Sequence, residues 1–344
     1  MSTSSLSGDR AAVGLGLAAT AILLGLRLAG HGPGLIEVLL AFGPLVVVPL
    51  GRPLARSCGL PSLADGEAPS STTTAIAAIV LIGALALPAG PGAVLLSLPW
   101  LAVTLGLAGR AAVGLHRATG GLHRATDGLH RAMDRSLART ERPAALTLAA
   151  IAVAWLPLAA LHVTMSRADI TYGGIQAPLV ELAGVHFTFA GFGATTLVAC
   201  LVAATEGRRR QAALLAAGAL VGGCVLVGVG HLTARPVELA GTVAITVAVI
   251  TIGALSWNRA PRRSPARILL RVSGLAVLAP MAFALAYAWA LTTGSVHLPY
   301  ETIAAIHGSL NAVGFVTCGM LGWRLRARRP SPVLRARSGR PGDV

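Results

Sequence analysis

Lysine is absent from the 344 residues, so every basic side chain other than histidine is an arginine. Charged residues of all kinds make up only 12% of the chain, against about 25% in a soluble domain. With a mean hydropathy of +0.72, that scarcity excludes water as the solvent for most of the surface and points to a lipid bilayer. Period-two alternation is also missing, which excludes a membrane β-barrel. The four cysteines, Cys58, Cys200, Cys224 and Cys318, form no CxxC pair, so a zinc ribbon, a c-type haem motif and a disulfide framework are excluded. HExxH and GxSxG are absent, and an enzyme is the least supported class. The net charge of +15 does not imply nucleic acid, because the arginines lie in short connections between apolar runs.

What the chain does contain is a series of apolar runs near the ~20 residues that a bilayer core demands. Ten are predicted as spans: Ala11–Gly30, Gly34–Leu50, Thr73–Leu87, Gly92–Gly109, Ala144–Val163, Leu179–Ala204, Gln211–Gly230, Val237–Ser256, Ile268–Leu291 and Thr302–Trp323. Backbone groups in lipid must pair internally, so the expected fold is all-α, a polytopic bundle of about ten helices. Arg10 precedes the first run, which is too long for a signal-peptide core and reads as a retained helix.

The arginines set the topology. Arg10, Arg52 and Arg56, the set from Arg110 to Arg142, Arg208 to Arg210, Arg259 to Arg263, and Arg324 to Arg329 all fall before the first span or after an even-numbered one. The other connections hold Arg167 and Arg235. The positive-inside rule then places both termini in the cytoplasm. The expected organisation is spans 1 to 4 over residues 1–109, a basic cytoplasmic loop over 110–143, spans 5 to 10 over 144–326, and a disordered basic tail over 327–344. The loop carries a seven-residue repeat, GLHRATG GLHRATD GLHRAMD, from Gly114 to Asp134. A glycine in each unit and an apolar face one leucine wide predict a solvated linker that is dispensable for folding.

Six histidines lie outside the repeat, and in this topology all six fall towards the outer side. His31, His162, His231 and His297 sit at span ends, where histidine is cheap and the structural reading is preferred. His186 and His307 lie one to two turns inside spans 6 and 10, which run in the same direction. Ionisable groups at such depth commonly mark pathways or ligand sites. Small residues follow each histidine, Gly193 and Gly314 at seven positions, which predicts close approach of the two helices. His186, His307 and Asn311 are therefore the candidate binding residues for one outward-facing cavity, with Glu181 and Glu301 as its acidic mouth.

The stretches VHFTFAGF (Val185–Phe192), IHGSLNAVGF (Ile306–Phe315) and GPLVVVPLG (Gly43–Gly51) resemble the YndJ-like bacterial membrane proteins. The resemblance spans most of the chain apart from the repeat and tail. It implies a multi-pass protein of the bacterial plasma membrane, a family commonly labelled as transporters, and carries no substrate or mechanism. The reading is therefore transporter-like, with the bilayer and a small solute, ion or proton as partners and no nucleic acid. Two alternatives stay open. One is a metal or haem protein with His186 and His307 as ligands, its cofactor otherwise unknown. The other is a non-catalytic assembly or sensory protein. Oligomeric state is not legible.

Overall fold

In the computed structural model the described residues are 3–31, 33–64, 66, 68–126, 142–173, 175, 178–295 and 299–327. Among them no strand forms, and helices account for nearly all of the backbone. Ten helical rods follow one another. They are α1 (Thr3–Leu28), α2 (Leu35–Ser57), α3 (Ser71–Ala86), α4 (Pro91–Thr126) and α5 (Arg142–Arg167). Then come α6 (Leu179–Ala203), α7 (Gly207–Thr233), α8 (Arg235–Ser256), α9 (Pro265–Thr293) and α10, which starts as Tyr300–Ile303 and runs on through Ala304–Ala327. Eight helices are long and apolar enough to cross a membrane, while Val13–Leu28 and Ser71–Ala86 are shorter apolar helices. This is the architecture of a multi-pass membrane protein.

The rods α2, α6 and α10 pack together and are not regular. Each contains wide turns in which a backbone N–H reaches back five residues: Gly43–Val47 in α2, Phe187–Ala194 in α6, and Ala304–Gly308 with Leu310–Thr317 in α10. In α2 the cause is Pro44, which has no N–H and crowds the preceding turn. In α6 and α10 no proline intervenes. There the glycine pairs Gly191/Gly193 and Gly308/Gly314 weaken the α preference. Thr317 Oγ1 supports the wide turn by donating to the Ala312 carbonyl, five residues back, at 2.8 Å.

Contacts between these rods fix their direction. A Cβ on Gly43 would lie 2.5 Å from Thr188, one on Gly308 2.9 Å from Leu39, and one on Gly193 2.7 Å from Val316. Residue numbers rise together along all three helices, so α2, α6 and α10 run parallel. The expected approach of α6 and α10 occurs at Gly193. Gly314 is different, because its open face meets Ala276 of α9 at 2.5 Å. A wide turn adds a residue, and each added residue rotates the downstream part of the helix by about 100°. A stripe counted at regular α spacing therefore loses its partner beyond the turn.

At one end of the bundle arginines gather and tie the helix termini together. Arg52 Nε donates to the Leu63 carbonyl at 3.0 Å, Arg259 Nη1 to Ala204 at 3.1 Å, Arg326 Nε to Arg259 at 2.7 Å, and Arg324 Nη1 to Pro49 at 3.3 Å. Cys58 and Cys200 meet near this end with sulfurs 3.6 Å apart, a contact invisible in the sequence. At the opposite end Arg167 is ion-paired to Glu181 and Arg235 to Glu238, so both arginines of the arginine-poor connections are neutralised locally. A third arginine at this end, Arg27 in the last turn of α1, lies inside the first apolar run and reaches the Pro33 carbonyl at 3.5 Å.

The fourth helix does not stop at Gly109. It continues to Thr126 and carries the start of the repeat as helix. Leu115 packs on the core, and a Cβ on Gly114 would collide with Ser62. The expectation that the whole repeat is a free linker thus needs correction for its first unit. The rest of the repeat beyond Thr126, and the tail beyond Ala327, lie outside the described residues.

Candidate functional site

One cavity of about 590 Å³ lies between α5, α6, α7, α8, α9 and α10, with Leu39 of α2 also in its wall. It begins among Tyr172, Leu179, His231 and Glu238 at the arginine-poor end and reaches inward to Ala194, Cys224, Val249 and Val316. Counted along α6 from Leu179 to Ala194, that is a depth of roughly 20 Å. Most of the wall is apolar, supplied by residues such as Leu182, Phe189, Ile245 and Phe315. A few polar groups converge on it, the usual composition of a small-molecule site.

Those polar groups stand at two levels. Midway down are His186, His307 and Asn311, all lining the same space. His186 is the last residue before the wide turns of α6, and His307 lies within those of α10. Such turns free backbone and side chains from regular packing and recur at functional sites. His307 Nδ1 lies 2.8 Å from the Pro280 carbonyl of α9. A carbonyl only accepts, so that nitrogen carries the proton and Nε2 of the neutral ring is left as an acceptor. Asn311 Nδ2 stands at 3.5 Å from Nε2, the outer limit of a hydrogen bond. His186 Nε2 is buried with no hydrogen-bond partner among the described residues, which is costly for a polar atom unless something else meets it.

Nearer the mouth stand two further clusters. Tyr172 donates its hydroxyl to His162 Nε2 at 2.7 Å, while His162 Nδ1 donates to the Leu158 carbonyl at 2.8 Å. Burial pushes the Tyr172 phenol up, which keeps it a neutral donor. Across the mouth, Arg235 Nη1 donates to Glu238 Oε2 at 2.5 Å and approaches His231 Nδ1 at 3.0 Å. His162 and His231, assigned structural roles from their span-end positions, therefore both line the cavity.

The expected acidic mouth is placed differently. Glu181 does not line the cavity. It is buried against α5, accepting from Ser166 at 2.8 Å and from Arg167. It precedes His186 by five residues, about 140° around a helix, and so faces away from the histidine. Among the described residues the carboxylate at the cavity is Glu238, recognisable in sequence only as the i+3 partner of Arg235. The side chains of Glu301 and His297 lie outside the described residues. No group of three His, Cys, Asp or Glu residues is placed to share a metal ion among the described residues.

The YndJ-like protein family matches residues 38–315, a stretch that contains the wide turns of α2 and α6 and most of those of α10. Neither the curated proteins nor the solved structures contain a match to this chain. With most of its length covered by that one family, the chain belongs to the YndJ-like proteins.

Proposed function

We propose that this YndJ-like protein is a transporter-like carrier of the bacterial plasma membrane, with its arginine-poor end facing outward. In this reading a small solute enters between Tyr172 and His231 and is held at His186, His307 and Asn311. The observation that carries it is a cavity joining the bundle end to two inward-lying histidines. Parallel helices with wide turns add to it, since such turns recur at functional sites.

The test is access from each side. Ala190→Cys is placed in a chain whose four native cysteines are replaced, and sealed vesicles of both orientations are treated with a membrane-impermeant methanethiosulfonate. A carrier exposes this position to each face in turn. Labelling from the arginine-poor face alone would make the protein a receptor. Labelling from neither would favour an assembly role.

The same unpaired His186 Nε2 favours one second reading, a haem or metal held between His186 and His307. A Soret band or stoichiometric metal in the purified protein, lost in His186→Ala, is the outcome that reading requires.

A further inference from the structure

The chemistry of the cavity narrows what it can hold. Among the described residues its lining includes one carboxylate, Glu238, already paired with Arg235, and no arginine. An inorganic ion, or any charged solute, would lose its water without gaining an opposite charge. With the proton taken to lie on its unpartnered Nε2, His186 complements His307, and the two rings then offer the two halves of a hydrogen-bond pair. His307 Nε2 accepts, because Nδ1 is committed to Pro280. His186 Nε2 is buried and unpartnered. A hydroxyl both donates and accepts, so one such group can satisfy both rings. A carboxylate cannot donate, and an ammonium cannot accept. Below the histidines the wall formed by Ala194, Val249, Phe315 and Val316 is apolar and suits a hydrocarbon body.

We propose that the cavity binds an uncharged amphiphile, a molecule with one hydroxyl head and an apolar body, the hydroxyl bridging His186 and His307. This inference rests on the reading of the cavity as a solute site, and it names the class of solute. The hydroxyl donates a hydrogen bond to His307 Nε2 and accepts one from His186 Nε2–H. The body lies along the apolar lower wall. No bond is made or broken.

The experiment uses the full chain in lipid nanodiscs, because detergent tails would compete for the cavity. Radiolabelled 1-decanol, decanoate and decylammonium are titrated at neutral pH, with retention by empty nanodiscs subtracted. Saturable decanol binding is expected, at least about tenfold tighter than that of either charged probe. His186→Ala and His307→Ala should each weaken decanol by about tenfold, with the preference over decanoate reduced. Ala190→Phe, which fills the cavity and leaves both histidines in place, should abolish binding even if an alanine variant folds poorly. Equal or tighter binding of a charged probe overturns the proposal. So does the absence of saturable decanol binding, or decanol binding that ignores both histidine substitutions. The carrier reading fails separately. Decanol binding without two-sided exposure at position 190 keeps the ligand class and sinks transport, whereas two-sided exposure with a preference for a charged probe does the reverse.

Discussion

Helix α6 has a lower hydropathy than its neighbour α7, 1.7 against 2.3, yet 83% of its most apolar window is buried in the protein against 33% for α7. In water the more apolar helix would take the centre. In lipid it does not, because hydrocarbon tails solvate leucine as well as another helix does. What places α6 at the centre is where its small residues fall and its irregular hydrogen bonding, since Gly218, Gly222 and Gly228 of the more glycine-rich α7 meet nothing within 4 Å. Gly184, Gly191 and Gly193 admit neighbours closely, and Thr188 and Thr196 satisfy their hydroxyls within the helix. Helix α7 is regular throughout and presents Leu215 and Leu226 outward. The working parts of this protein are written in glycine, threonine and histidine, and its lipid-facing parts in hydropathy.

The contrast breaks first on α7 itself, where the largest effect is expected. A Cβ on Gly230 would run into the backbone of Glu238, whereas one on Gly218 meets nothing within 4 Å. Gly230→Ala should cost about 3 kcal/mol, since backbone cannot step aside. Gly218→Ala should be neutral or gain about 0.5–1 kcal/mol from helix propensity. Thermal unfolding of the two variants checks the pair, and equal melting temperatures would mean that the α7–α8 hairpin is looser than described.

A smaller effect separates deep from surface histidine. His307→Ala strands the Pro280 carbonyl and should cost about 1–3 kcal/mol. His31 is exposed, so His31→Ala should stay within about 0.5 kcal/mol. Threonine sharpens the same line. Thr317→Val removes the hydroxyl bond across a wide turn and should cost about 1 kcal/mol, while Thr251→Val on the exposed face of α8 should change little. The smallest effect concerns the repeat. Deleting Gly121 to Asp134 with a flexible bridge should leave the melting temperature nearly unchanged. Extending the deletion back to Gly114 removes the Leu115 contact and should lower it.

Much of the bundle is readable in the sequence because apolar runs end at arginine, proline and glycine. The seventh span, expected at Gln211–Gly230, forms Gly207–Thr233, and the third, expected at Thr73–Leu87, forms Ser71–Ala86. The pairing of His186 with His307 in one space accords with their similar depth on parallel helices. The wide turns are not readable, because counting at 3.6 residues per turn assumes the regularity they break. That assumption assigns Gly314 to α6 when it faces Ala276 of α9. The partner of Glu181 is hidden for another reason. Arg167 lies across a loop fourteen residues away, and only the fold brings the pair together. The same limit leaves His162 unconnected to Tyr172.

The central claim is that His186 and His307 face one shared space, and cross-linking tests it most directly. With Cys58, Cys200, Cys224 and Cys318 replaced, the chain carries His186→Cys and His307→Cys and is treated with bifunctional methanethiosulfonates of graded length. A control pairs His186→Cys with Val313→Cys, a position on the exposed outer face of α10. Efficient joining of α6 to α10 is expected through positions 186 and 307, slowed by 1-decanol, and no joining through 313. Joining through 313 as readily as through 307, or no joining at 307 with any linker, would contradict the claim.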